Sequence, residues 1–219
     1  MQIDNLSRMI FIHIPRTGGS AFSYSTPGTI NGQHLDPYYV SGDNIINTKE
    51  KLSTRCGRHT TWSFLKKKLK DIKADVSDYR LITFVRHPID RIISTYRYLT
   101  MVKKTRNRLQ WKSINDMLDI IEEHPQGKVH WMPQTHWLIE DNKPVNYFKI
   151  YRFEDIVNDI SPMKKDFPLY TPHEKDIIQR QGNYNWKNYK KDSTNVIDRI
   201  EKIYKDEHKY LSQWYEDLK

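Results

Sequence analysis

Two short apolar runs constrain this chain more than any other feature: Ile10 to Ile14, with His13 inside it, and Leu81-Ile82-Thr83-Phe84-Val85. Both are short and rich in β-branched residues, so each reads as a buried strand. Each also stops abruptly in a loop that carries arginine. Pro15-Arg16 and the pair Gly18-Gly19 close the first, and Arg86-His87-Pro88 closes the second. Helical spacing fills much of the rest. Trp62, Leu65, Leu69 and Ile72 predict a helix over Thr61 to Ile72, with Thr60 or Thr61 able to cap it. Ile92, Ile93, Tyr96 and Leu99 predict another from Ile89 to about Val102, and Ile114 to Glu123 is a third. Tyr147 to Tyr151 alternates as a strand, with a helix starting over Glu154 to Ile160. Val196 to Leu218 carries Ile197, Ile200, Ile203, Tyr204, Leu211 and Trp214, which predicts one long C-terminal helix. Strands separated by helices indicate an α/β fold, a parallel sheet with helical crossovers. At 219 residues the chain fits a single domain. Residues 27–57, with Gly28, Gly32, Pro37 and Gly42, predict irregular surface structure and a candidate substrate-side loop.

Charge narrows the partners. The formal net charge is +9, and the stretch from Lys49 to Lys112 holds 18 Lys or Arg against 5 Asp or Glu, so the remainder is net acidic. A basic band of this size favours an anionic partner: a nucleotide, nucleic acid, anionic glycan or membrane surface. The bland reading of Lys66-Lys67-Lys68 and Lys70 is a solvated helix face. One cysteine, Cys56, rules out an intramolecular disulfide and a cysteine-based zinc site. No run of about 18 apolar residues is present to span a membrane. The N-terminus lacks the charged and cleavable parts of a signal peptide, so a cytoplasmic location is expected.

In open parallel sheets, ligands bind beyond the carboxyl ends of the strands, and both arginine loops sit there. In Ile14-Pro15-Arg16-Thr17-Gly18-Gly19-Ser20, glycines let backbone N–H groups approach an anion. Ser20 can supply a hydroxyl and cap a following helix, and Arg16 adds a permanent charge. In the second loop Arg86 ends the strand, while Arg91 and Ser94 lie three apart on the next helix and share a face. Two arginines and a serine would suit a second, separate phosphate. The plainer alternative is an arginine that caps the sheet and a surface pair of Arg91 with Asp90. A nucleotide with phosphoryl groups at both its 5′ and 3′ ends would need two such cradles. The long GxxxxGK[ST] loop and Mg²⁺-binding Asp of a P-loop ATPase are missing.

The pair IPRTGGSAF and FVRHPIDRIISTYRYL resembles the two nucleotide-binding signatures of sulfotransferases that use 3′-phosphoadenosine 5′-phosphosulfate (PAPS). The likeness is greatest to the carbohydrate group that includes heparan sulfate 2-O-sulfotransferases and bacterial relatives. It continues through Arg58-His59-Thr60, Pro133-Gln134-Thr135-His136-Trp137-Leu138, Tyr151-Arg152-Phe153-Glu154-Asp155 and Asn185 to Tyr210, leaving about residues 23–54 unmatched. The resemblance implies a sulfotransferase fold of the P-loop-NTPase-like kind. It also implies PAPS as sulfuryl donor and a carbohydrate or glycoconjugate hydroxyl as acceptor, with an anionic acceptor suiting the basic band.

By the same resemblance, Arg16, Thr17, Gly18, Gly19, Ser20 and Ala21 would hold the 5′-phosphosulfate, and Arg86 and Ser94 the 3′-phosphate. Arg16 stands where most relatives carry lysine. It would stabilise the leaving oxygen as a cation but would be a poor general acid. His59 would be the general base; its structural alternative is a capping or packing residue before the helix. His13 is expected to make a structural hydrogen bond, and His87 to be a solvent-facing loop residue. Gly182 to Tyr189 could close over the nucleotide or serve as an exposed interaction loop. No metal is expected, since arginines and amides can carry the anionic charge. Two rival readings remain: a basic nucleic-acid-binding module with stacking Tyr and Trp, and a catalytically silent relative that keeps the pocket.

Overall fold

The computed structural model describes residues 2–4, 8–19, 38–41, 44–47, 52–55, 59–104, 111–168 and 194–218. In chain order the first elements are strands β1 (Gln2–Asp4), β2 (Met9–Ile12), β3 (Tyr38–Ser41), β4 (Asn44–Asn47) and β5 (Leu52–Arg55). Helix α1 (Trp62–Asp71) leads to strand β6 (Arg80–Val85) and the long helix α2 (Pro88–Lys104). Helices α3 (Ile114–Glu123) and α4 (Thr135–Leu138) follow, then the short strands β7 (Ile139–Glu140) and β8 (Lys143–Pro144). Strand β9 (Lys149–Arg152) comes next, followed by α5 (Phe153–Asn158), α6 (Ser161–Asp166), α7 (Thr194–Ile203) and α8 (Lys205–Leu211). Contacts divide the chain into two compact units, Met1–Val85 with His136–Gln181, and Arg86–Thr135 with Gly182–Lys219.

The first unit is built on a four-stranded sheet of order β1-β2-β6-β9. β2, β6 and β9 run parallel, with Ile10 opposite Leu81 and Val85 opposite Arg152, and β1 pairs antiparallel to β2. Every residue of β2 is buried, as are five of the six residues of β6. Helices on both faces explain that pattern. Met9, Phe11, Ile82, Phe84 and Tyr151 point to one face, where Ile156 of α5 and Met163 of α6 cover them. On the opposite face, Ile10 and Leu81 lie beside Trp62 and Leu69 of α1. The Thr83 hydroxyl inside this ladder is satisfied: its Oγ1 donates to the Ile12 carbonyl at 2.8 Å.

α1 begins where Thr61, in an extended conformation, accepts from the Phe64 N–H. Lys68 and Lys70 in its last turn complement the carbonyl end of the helix. At the sheet edge, Asp166 takes hydrogen bonds from Lys149 Nζ and Tyr151 Oη, each at 2.7 Å. Those bonds, from Lys149 first, hold its carboxyl below the usual carboxylate range. Burial first, and Asp166 second, push the Tyr151 phenol well up.

Three expectations need correction. Residues 38–55 are not irregular throughout. β3, β4 and β5 form an antiparallel meander, with Ser41 opposite Asn44 across the two-residue Gly42-Asp43 connection. A glycine in a two-residue connection is a hairpin signal, which a reading based on breaker density overlooks. The third strand starts at Lys149 rather than Tyr147, although Phe148 N already donates to the Leu81 carbonyl at 2.8 Å.

The C-terminal helix is also not continuous. It breaks at Tyr204 (φ −105°, ψ 26°) into α7 and α8, and Glu216–Leu218 forms a separate 3₁₀ turn. Tyr204 is buried and its hydroxyl donates to the Trp131 carbonyl at 2.6 Å. A tertiary anchor, not a helix-breaking residue, accompanies the turn in the chain.

The second unit packs α2, α3 and α7 around Ile92, Ile93, Met117, Ile121, Trp131 and Ile200. The predicted start of α3 is observed because Ser113 and Asp116 form a reciprocal capping box. Arg199 of α7 reaches Asp119 at 2.6 Å and Glu122 at 3.1 Å on α3, a surface link of small energetic weight.

On α8, burial pushes the His208 imidazole down to about 4 from its ordinary 6.5. The folded protein thus resists a proton that the unfolded chain accepts. The stability tied to His208 is complete above about pH 6.5 and is lost as pH falls from 6.5 towards 4. Thermal midpoints measured across that window should fall more steeply for the parent than for His208→Gln. Parallel slopes would assign the acid sensitivity to other groups.

Candidate active site

Beyond the carboxyl end of β2 the backbone turns sharply. Arg16 adopts φ 67° and Gly18 φ 89°. A left-handed arginine costs about 1–2 kcal/mol, and such strain persists where the surroundings over-determine it. The surroundings here do. Thr17 is fully buried and its hydroxyl donates back to the Ile14 carbonyl at 2.8 Å. A Cβ on Gly18 would lie 2.3 Å from Cδ2 of Phe153, the first residue of α5. A Cβ on Gly19 would lie 2.2 Å from Cδ2 of His13. Both glycines are therefore demanded by close packing behind the loop, and Arg16 stays half-buried at its rim. Left-handed residues in such a turn make the backbone concavities that accept anions. The Thr17 hydroxyl hydrogen is spent inside the loop, so its side chain braces the turn. Ser20 and Ala21 lie outside the described residues.

His59 is placed by three contacts in the same unit. Its Nδ1 lies 3.0 Å from the His13 carbonyl, and the two rings meet edge to face with centroids 4.6 Å apart. Its own carbonyl accepts from Trp137 Nε1 at 2.9 Å, and the Trp137 carbonyl accepts from Tyr147 Oη at 2.9 Å. A carbonyl only accepts, so in the neutral imidazole Nδ1 carries the proton and Nε2 the lone pair. The cap of α1 is Thr61, so His59 is not the capping residue. His13 is buried, and its carbonyl and ring orient His59 and back Gly19.

Around Arg86 the second unit gathers polar side chains of low exposure. Arg86, His87, Asp90 and Ser94 are all buried. The Gln134 amide brackets the Arg86 backbone: Arg86 N donates to Oε1 at 2.9 Å, and Nε2 donates to the Arg86 carbonyl at 2.8 Å. Glu207 then fixes Gln134, accepting from its backbone N and from Nε2, each at 2.7 Å.

Arg91 does not face a phosphate as its spacing from Ser94 suggested, nor does it form a surface pair with Asp90. Its side chain is fully buried, lying 3.5 Å from Glu207 and donating to the Met132 carbonyl at 2.9 Å. The partner is 116 residues away in sequence, so no local pattern announces it. His87 is likewise not solvent-facing. It is buried, 3.7 Å from an Asp217 carboxylate oxygen and edge-on to Tyr215.

Trp137, Gln134 and Glu207 carry these arrangements, yet spacing assigned them no role. A buried glutamine or glutamate leaves no periodic signature. The basic band is spread out. Lys66, Lys70 and Lys73 line a groove with Trp62, Tyr147 and Phe148, next to Ile10 and Leu81 in the amino-terminal halves of their strands.

Gly18→Ala joins a disfavoured φ to a side-chain clash, so it should cost about 1–3 kcal/mol. At roughly 2–4 °C per kcal/mol the loss is readable as a lowered thermal midpoint. An unchanged midpoint would show that the loop is not packed as described.

A family model described as the sulfotransferase family matches residues 2–213. No curated protein and no solved structure matches the chain. The match runs from β1 through α8 and takes in both arginine loops, His59 and Gln134, and by it the chain belongs to the sulfotransferase family.

Proposed function

We propose that the protein transfers a sulfuryl group from PAPS to a hydroxyl of a carbohydrate or glycoconjugate, with His59 as general base. The observation that carries the base assignment is the Nδ1 contact with the His13 carbonyl, which leaves the basic lone pair on Nε2. When bound, PAPS supplies the sulfuryl group and departs as 3′-phosphoadenosine 5′-phosphate (PAP).

The chain's own residues have distinct tasks in this reading. The strained turn at Arg16 to Gly19 offers backbone donors to the 5′-phosphosulfate, and its buried packing means little reorganisation on binding. Arg16 places a permanent cation near the bridging oxygen, where charge develops as the S–O bond breaks. His59 Nε2 takes the proton from the acceptor hydroxyl as its oxygen attacks sulfur in line. Arg86 and Ser94 would hold the 3′-phosphate. The acceptor class follows from the resemblance of the loops to carbohydrate sulfotransferases and from the surplus of cations between Lys49 and Lys112.

Thermal unfolding with PAP, ADP and AMP tests the donor. A ligand at 100 times its Kd adds about 2.7 kcal/mol, which shifts the midpoint by several degrees. The expected result is a shift specific to PAP and lost in Arg86→Ala. An equal shift with ADP, or none, would overturn the donor assignment and favour nucleic acid, for which steep salt dependence is the signature.

His59→Ala should keep PAP binding and lose about 10²–10⁴-fold in turnover. Full turnover on a sugar acceptor in that variant would remove His59 from its role.

A further inference from the structure

We propose that Gln134 and Glu207 are positioning residues for the donor site, acting through Arg86; this rests on the reading of Arg86 as the 3′-phosphate contact. Arg86 lies one residue past the last residue of β6. Its N–H and C=O must find partners because the residue is buried. A single side chain supplies both, the Gln134 amide.

The orientation of that amide is forced. Oε1 accepts from Arg86 N, while the two hydrogens of Nε2 go to the Arg86 carbonyl and to Glu207 Oε1. A flipped amide would set donor against donor and acceptor against acceptor. Glu207 Oε2 meanwhile accepts from the Gln134 backbone and meets Arg91 Nη2. The Arg91 backbone carbonyl accepts from Thr95 Oγ1 at 2.9 Å, one position past Ser94. Every link from Arg91 through Glu207 and Gln134 to Arg86 is buried.

Apolar residues of similar volume would stabilise such a site as well or better. What the polar chain adds is direction: it sets the peptide planes on both sides of Arg86, and with them the course of its side chain. Arg86 would then present its guanidinium without first having to order its backbone, which favours selectivity for the doubly phosphorylated nucleotide.

The test is calorimetric titration of the full chain with PAP and with AMP, which lacks the 3′-phosphate. It compares the parent, Gln134→Met, Arg86→Ala and the double variant. Gln134→Met should weaken PAP by about tenfold or more while leaving AMP within about twofold, and this loss should vanish in the Arg86→Ala background. Should Gln134→Met fail to unfold cooperatively, Gln134→Asn keeps the amide but cannot bracket Arg86, and the same result is expected of it.

A folded variant that keeps the PAP preference overturns the positioning role alone, provided Arg86→Ala abolishes that preference. Equal weakening of PAP and AMP also overturns it, since that marks a general structural loss. A preference unaffected by Arg86→Ala overturns the donor reading, and the positioning role with it.

Discussion

Burying a carboxylate is costly unless cations and donors meet its oxygens, and the second unit is organised around meeting that condition at Glu207. Arg91 supplies the cation, and Gln134 supplies a backbone and a side-chain donor. Those demands bring α2, the segment before α4, and α8 to one point. Tyr204 sits one helical turn before Glu207, its ring 5.8 Å from the Arg91 guanidinium carbon and its hydroxyl on the Trp131 carbonyl. The break between α7 and α8 falls at this residue. The direction of α8, the burial of Arg91 and the bracketed backbone of Arg86 are thus parts of one solution.

The first unit solves a different problem. A strained turn needs rigid support behind it, and here the support comes from two packed rings. Phe153 fills the space where a Gly18 side chain would go, and His13 fills that of Gly19. The strain at Arg16 is sustained by this packing, which in turn depends on β2 and β9 lying in register with β6 between them. His59 borrows the same support, since its ring rests on the residue that backs Gly19. Sheet, turn and histidine share one piece of core.

Much of this was legible before any coordinates. The runs at Ile10 and Leu81 announce strands because burial on both faces removes polar alternation. α3 announces its limits through a clean amphipathic stripe, and the capping box at Ser113 and Asp116 shows in the structure why it starts there. Arg16, Gly18, Gly19 and Arg86 stand out as loop residues just past apolar runs, and the structure places them just beyond the ends of β2 and β6.

What escaped the sequence was non-local or low in contrast. The meander of β3 to β5 was hidden by a count of glycines and prolines. The helix break at Tyr204 coincides with a tertiary contact that periodicity cannot express. The fate of Arg91 depends on a glutamate 116 positions later, and Gln134 looks like any polar loop residue until its four buried hydrogen bonds are traced.

The long reach of the Glu207 contacts also bears on synthesis. Loops of 73 and 116 residues separate Glu207 from Gln134 and from Arg91, so these contacts belong to the slow, topologically distant class. Domains tend to assemble from the N-terminal end as the chain emerges from the ribosome. The sheet strands and the Arg16 turn can meet early, and Gln134 can bracket Arg86, yet the contacts of Arg91 and Gln134 with Glu207 must wait for α8. A nascent or truncated chain that stops short of Glu207 would leave the Arg91 cation without its carboxylate and the Gln134 backbone N–H without its acceptor. The core of this unit likewise draws on Val196, Ile197 and Ile200 of α7, so its apolar packing and its buried carboxylate are both completed only by the last stretch of the chain.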